Sequence, residues 1–203
     1  MTDFDKYKQI SPCEYADGLP REQFVDYQIH SLWPQPPRIA GPAFTVLCEP
    51  GDHLMLHAAI YQANAGDIIV VQADPNFAVA GGNVCAIAQS RGIAGFVIDG
   101  VIRDLAEVRD LQFPVFARGV IPKPGAKKKY SALNQPIVCG GVSVNPGDLV
   151  IADEEGIAVV PQDQIPSVYQ VAKARTDKDA ATTLQQWQDS HKHNIEKLIS
   201  DLK

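Results

Sequence analysis

No stretch of the 203-residue sequence approaches the ~18 consecutive apolar residues that a membrane-spanning helix needs. Its start, MTDFDKYKQI, lacks the apolar core of a secretory signal. The four cysteines, Cys13, Cys48, Cys85 and Cys139, stand far apart with no CxxC pair. Together these absences predict a reduced, cytoplasmic setting and no membrane partner. Positive charge is also scarce: 18 Lys and Arg against 24 Asp and Glu, a net charge of -6. Phosphate binding needs a concentrated basic face, so nucleic acid is not an expected partner. The only basic run, Lys127-Lys128-Lys129, is predicted to be a solvated loop. There is no internal repeat, no low-complexity tract, no GxGxxG-type cofactor loop and no HExxH motif.

What is present is an ordinary globular composition, 45% hydrophobic and 21% charged, in a chain long enough for one substantial core. WPQPPRIAGP (33 to 42) reads as an extended entry, and AFTVLC (43 to 48) as a strand. PGD (50 to 52) is a turn whose Asp52 is placed to cap a helix over 53 to 65. DIIVVQA (67 to 73) and IAGFVID (93 to 99) are apolar without alternation, the pattern of buried strands. Helices are predicted over 82 to 91 and 104 to 111, and a strand at PVFARG (114 to 119). Alternating helix and buried strand imply a largely parallel sheet covered by helices. Beyond residue 120 the texture changes: PIVCGGVSVNPGDLVIADEEGIAVVP (136 to 161) holds three short β runs split by glycine turns. The predicted fold is one α/β domain with a mixed sheet over residues 1–161. A polar helical tail over 162–203 has too little apolar surface to pack all round and is predicted to lie between subunits.

The chemistry concentrates between residues 81 and 104. Gly81-Gly82 precedes a helix and leaves backbone N–H groups unobstructed, and such N-termini attract carboxylates and phosphates. Taken alone, a Gly-Gly pair is better read as a plain turn. VIDGVIRD then delivers Arg103 beside Asp104 after a buried strand. Arg presents a planar fork matched to a carboxylate, and Asp a hard oxygen suited to Mg²⁺. Helix capping by the pair is an equally good reading of composition alone. Asp99 is open between orienting the pair and capping the turn at Gly100.

GGNVCAIAQSRGIAGFVIDGVIRD resembles the signature of the RraA-like family. That family includes the class II 4-hydroxy-4-methyl-2-oxoglutarate and 4-carboxy-4-hydroxy-2-oxoadipate aldolases and the regulators of ribonuclease E activity A. The likeness continues through RIAGPAFTVLCEPGD, AGDIIVV, FPVFARGV and GGVSVNPGDLVIADEEGIAVVP, roughly residues 38 to 161. The resemblance implies a swivelling β/β/α fold assembled as a homotrimer or hexamer, with active sites between subunits. It implies that Arg103 binds substrate, that Asp104 holds a divalent metal, Mg or Mn, and that the loop Gly81, Gly82, Asn83 and Val84 grips the pyruvyl part of a small 2-oxo acid. A carboxylate from the neighbouring subunit's C-terminal helix is matched by Asp179, one methylene shorter than the usual Glu. The aldolases carry Asp or Glu at the position of Gly82, and here that carboxylate is missing.

The implied chemistry is retro-aldol cleavage of a 4-hydroxy-2-oxo acid to pyruvate, with oxaloacetate decarboxylation through the same enolate. A divalent ion and Arg103 would stabilise the charge that gathers on the enolate oxygen, and no Schiff-base lysine is required. The alternative is a non-catalytic, RraA-like regulatory binding protein, which Gly82 favours. Elsewhere, His53 and His57 at i and i+4 have no third ligand and read as packing or surface histidines. Cys85 reads as a small buried hydrophobe. His191 and His193 are expected to be exposed, and Asp148 and Asp153 to serve turns.

Overall fold

The computed structural model describes residues 4–202. Its strands are β1 (His30–Ser31), β2 (Ile39–Leu47), β3 (Ile68–Gln72), β4 (Gly95–Ile102), β5 (Val115–Val120), β6 (Ile137–Cys139), β7 (Val142–Val144), β8 (Leu149–Asp153) and β9 (Gly156–Val160). Its helices are α1 (Pro12–Tyr15), α2 (Leu54–Gln62), α3 (Gly82–Ser90), α4 (Leu105–Asp110), α5 (Ile165–Ala181) and α6 (Leu184–Asp201). Seven strands form one mixed sheet in the order β1-β5-β4-β3-β2-β8-β9. The β2-β3-β4-β5 portion is parallel, and β1, β8 and β9 join antiparallel.

The parallel strands are apolar without alternation because both of their faces are covered. Ile69, Val71, Phe96, Ile98, Val115 and Ala117 point to the side packed by α2, α3 and α4. Ile68, Val70, Val97 and Phe116 point to the other, where the β6-β7 hairpin closes the core with Ile137, Cys139, Val142 and Val144. Leu149, Ile151, Ala158 and Val160 join Tyr15, Val168 and Ala172 in a third cluster between β8, β9, α1 and α5. Arg175 of α5 also reaches Asp17, at 2.9 Å. None of the described side chains of α6 is buried, and its start is held by a capping box between Thr183 and Gln186. Among the described residues no helix is long and apolar enough to cross a membrane.

Three boundaries differ from the sequence reading. β2 starts at Ile39, inside the expected entry segment, because Ile39–Pro42 pair with β8, a partner far along the chain that no local pattern announces. The 136 to 161 region holds four short strands rather than three runs. β4 does not end at Asp99 but continues to Ile102. Its register against β5 shifts between Ile98 and Val101, so Asp99-Gly100 forms an irregularity inside the strand instead of a terminal turn.

Candidate active site

The extended continuation of β4 builds the site. Ala78 bridges both Val101 and Pro124, Val79 donates its N–H to Val101 O at 3.0 Å, and Arg103 donates its N–H to Ala80 O at 3.0 Å. This pairing lays segment 78–80 beside the end of β4. It brings Gly81, the residue before α3, against Arg103 and Asp104, at the carboxyl ends of the parallel strands where α/β folds place their ligands. Gly81, Asn83, Val84, Arg103 and Asp104 share a cavity of about 100 Å³. Gly82 starts α3 directly behind it.

Asp104 occupies the N-cap position of α4, but its side chain makes no capping hydrogen bond there. Its backbone is left-handed, φ 57° and ψ 40°, a conformation that costs a non-glycine residue roughly 1–2 kcal/mol. The carboxylate turns instead to the head of α3, where Oδ2 accepts the Gly82 N–H at 3.2 Å. Arg103 Nε lies 3.4 Å from the same oxygen. Capping of the helix that follows it, one of the two readings that composition left open, is therefore not what the Asp104 side chain does. Among α3's first-turn donors, Asn83 and Val84 have no acceptor within the helix by position and stand at the cavity.

The space above Gly82 is filled. A side chain at this position would collide with Glu107, whose carboxylate projects from α4 over the first residue of α3. Gly82 is not among the residues with positive φ, so a side chain here would meet the exposed Glu107 rather than backbone strain. The carboxylate missing at 82 thus has a counterpart four positions after Arg103, which sequence reasoning passed over. The spacing Arg103-Asp104-x-x-Glu107 on a short helix was its available signal.

Three further cavity residues were read otherwise. His53 and His57 stack with ring centroids 4.6 Å apart and both line the cavity. His53 is buried, and its Nδ1 is 3.2 Å from Ala78 O, an acceptor that fixes Nδ1 as the protonated nitrogen. Burial, and then the charges of His53, Lys127 and Arg103, hold the His57 ring down to about 4, so it is neutral at pH 7. Lys127 is exposed, as expected of a solvated loop, but it also lines the cavity and makes no ion pair among the described residues. Lys128 and Lys129, by contrast, give their backbone N–H groups to Asp52.

Asp99 does neither of the things proposed for it. Oδ2 accepts the Gly140 N–H at 2.7 Å and Oδ1 accepts from Arg118 Nε, tying β4 to the β6-β7 hairpin on the sheet face away from α3. Cys85 is fully buried, and burial first and the Asp104 charge second push its thiol up to about 12, which removes it as a nucleophile. Asp148 and Asp153 serve turns as expected, accepting backbone N–H groups of Asn145, Gln162 and Glu155. His191 and His193 are exposed, the former stacked on Trp187. Asp179 lies elsewhere in this chain, on α5, paired with Arg175 at 2.7 Å.

Among the described residues no three His, Cys, Asp or Glu side chains cluster to hold a metal by themselves. Asp104 lines the cavity and Glu107 reaches the head of the same α3, so these are the residues that could hold a hard cation of the Mg²⁺ kind, which takes one or two carboxylates and keeps several waters.

Comparison with known proteins agrees with the fold. The family model for RraA-like proteins, described as Aldolase/RraA, matches residues 13–159. A Halalkalibacterium halodurans protein provisionally named 4-hydroxy-4-methyl-2-oxoglutarate aldolase is 42% identical over 146 residues, which cover 71% of this chain and 70% of that protein. A crystal structure of an uncharacterised Pseudomonas syringae protein superposes with TM-score 0.78 and 28% identity, covering 92% of both chains. The RNA-processing inhibitor RraA of Thermus thermophilus superposes with TM-score 0.67 and 27% identity, over 74% of this chain and 92% of that one.

Proposed function

The chain belongs to the RraA-like family, and from that premise we propose that it is a divalent-metal-dependent lyase, cleaving 4-hydroxy-2-oxo acids to pyruvate and decarboxylating oxaloacetate. The observation that carries this reading is the pair of carboxylates at the head of α3. Asp104 is held in a left-handed backbone and aimed away from its own helix, and Glu107 fills the space over Gly82. Strained residues aimed into a cavity mark functional sites more often than structural ones.

Asp104 and Glu107 are the residues that would hold Mg²⁺ or Mn²⁺. When bound, such an ion supplies Lewis-acid stabilisation to the oxygen on which negative charge gathers. The chain's own groups do the rest. The open N–H groups of Asn83 and Val84 receive the substrate's carboxylate, and Arg103 sets a fixed cation beside the 2-oxo oxygen. Breaking the C3–C4 bond as the C4 hydroxyl gives its proton to water leaves the bond's electron pair on the pyruvyl fragment as an enolate, which takes a proton from water at C3 to give pyruvate. Arg103 and Lys127 face that charge without needing to reorganise. In oxaloacetate the same bond joins C3 to the departing carboxylate, so one arrangement serves both reactions. The small cavity suits an acid of a few carbons.

Asp179 enters this reading only from a neighbouring copy. The exposed Leu184, Trp187, Ile195, Leu198 and Ile199 of α6 favour a homo-oligomer, a trimer or hexamer, in which the tail is covered. The unpaired cysteines are consistent with a reduced, cytoplasmic protein.

A non-catalytic regulatory role is the second reading, supported by Gly82 and by the fold shared with an RNA-processing inhibitor. Glu107 weighs against it, because it returns a carboxylate to the place where Gly82 lacks one. The deciding experiment is pyruvate release from oxaloacetate and from 4-hydroxy-4-methyl-2-oxoglutarate, with and without Mg²⁺ or Mn²⁺. Metal-dependent release supports the lyase; none with either acid leaves the regulatory reading.

A further inference from the structure

Asp52 lies outside the cavity and touches none of the residues named for the chemistry, yet it is only 3% exposed. Its carboxylate joins two segments. Oδ1 accepts the Leu54 N–H at 2.8 Å, at the head of α2. Oδ2 accepts the N–H groups of Lys128, at 2.6 Å, and Lys129, at 3.2 Å. The two backbones meet alongside it: Asp52 bridges Ala126, Ala126 donates to Gly51 O at 2.8 Å, and His53 donates to Ala126 O at 2.9 Å. Lys129 Nζ closes the contact on Pro50 O at 2.7 Å. Burial acts to raise the Asp52 carboxyl, but the three N–H donors outweigh it and keep the group below the ordinary aspartate range, hence ionised.

The residue immediately before Lys128 in this latched loop is Lys127, the cavity's unpaired ammonium, and the residue after Asp52 is His53. A lysine side chain on an exposed loop would ordinarily sample many positions, at an entropic cost to any ligand that orders it. We propose that Asp52 is a positioning residue of the active site, latching the 126–129 loop to the head of α2 so that Lys127 lines the cavity together with Asp104. It acts through Lys127 and touches no substrate itself. This rests on the lyase reading for its kinetic consequence, but the latch governs anion binding in the cavity whether or not the chain turns over.

The test is a double-mutant cycle on the full-length chain between Asp52→Asn and Lys127→Met, with Asp52→Ala as the harsher variant. The amide of Asp52→Asn keeps the size and folding of the site but can satisfy only one side of the latch. Binding is read by calorimetric titration with oxalate in Mg²⁺, and turnover by KM and kcat for oxaloacetate. Asp52→Asn and Lys127→Met are each expected to weaken oxalate on the order of 10- to 100-fold and to raise KM more than they lower kcat. The double variant is expected to be no worse than Lys127→Met alone, because a latch has nothing to hold once the ammonium is gone. Wild-type affinity in Asp52→Asn, or losses that multiply in the double variant, would overturn the proposal. Oxalate binding by the wild type without pyruvate release defeats the lyase reading, while the cycle, read on binding, still decides Asp52. Failure of the wild type to bind oxalate removes both.

Discussion

The carboxylate of Glu107 occupies the space that a side chain at Gly82 would enter. Two helices, α3 and α4, share one position, and the chain spends it from α4. Glu107→Gln keeps the packing and removes the charge. It is expected to weaken Mg²⁺ by ~10- to 100-fold, the usual loss for a carboxylate that supports a metal site, with the melting temperature little changed. Gly82→Asp alone is expected to lower both stability and activity by crowding Glu107. Gly82→Asp with Glu107→Ala should recover part of the metal affinity. A metal titration of the four proteins checks this, and a gain from Gly82→Asp alone contradicts it.

Asp104 sits at φ 57°, where glycine is at ease and alanine is not. Asp104→Gly and Asp104→Ala are both expected to abolish metal-dependent turnover while folding normally. The glycine variant should be the more stable of the two by about 1 kcal/mol. Urea unfolding midpoints measure the difference. Equal stabilities would mean that the left-handed backbone is not retained in solution.

His57 gives an acid-side signature. Burial, with His53, Lys127 and Arg103 around it, lowers its pKa from 6.5 to about 4. Between those values the unfolded chain binds a proton that the folded chain refuses, so folding stability falls as the pH drops through that window. Above pH 6.5 the ring is neutral in both states and contributes no slope. His57→Gln is expected to flatten the decline between pH 6.5 and 4 and to leave the neutral-pH slope unchanged, as measured by urea unfolding across that range. An identical decline in the variant would place the acid sensitivity in other groups.

Asp179 and the tail make a joint expectation. Sedimentation should show a trimer or hexamer at micromolar concentration. Asp179→Asn should then lower turnover without shifting the oligomer, since among the described residues its carboxylate pairs with Arg175 alone, an exposed pair of little energetic weight. A stable monomer with full activity rules out any role for Asp179 from a neighbouring copy.

The sequence by itself determined the alternation of helix and buried strand, because strands such as Ile68–Gln72, covered on both faces, must be apolar without alternation. It also located Gly81 to Val84 and Arg103-Asp104 as one constellation, and the family resemblance marked Gly82 as lacking a carboxylate. Tertiary structure alone decided how those residues meet. The bulge at Asp99-Gly100 carries β4 on to Ile102, and only the pairing of segment 78–80 with that extension brings Gly81 to Asp104. Asp104's turn away from its own helix and Glu107's reach over Gly82 depend on how α3 and α4 meet. His53, His57 and Lys127 looked like surface or packing residues because each was judged against its chain neighbours. Their cavity is made by backbone hydrogen bonds between segments 51–54, 78–80, 101–103 and 123–129. Such long-range pairings leave no period in the sequence, since a loop's neighbours across space impose no spacing along its own chain.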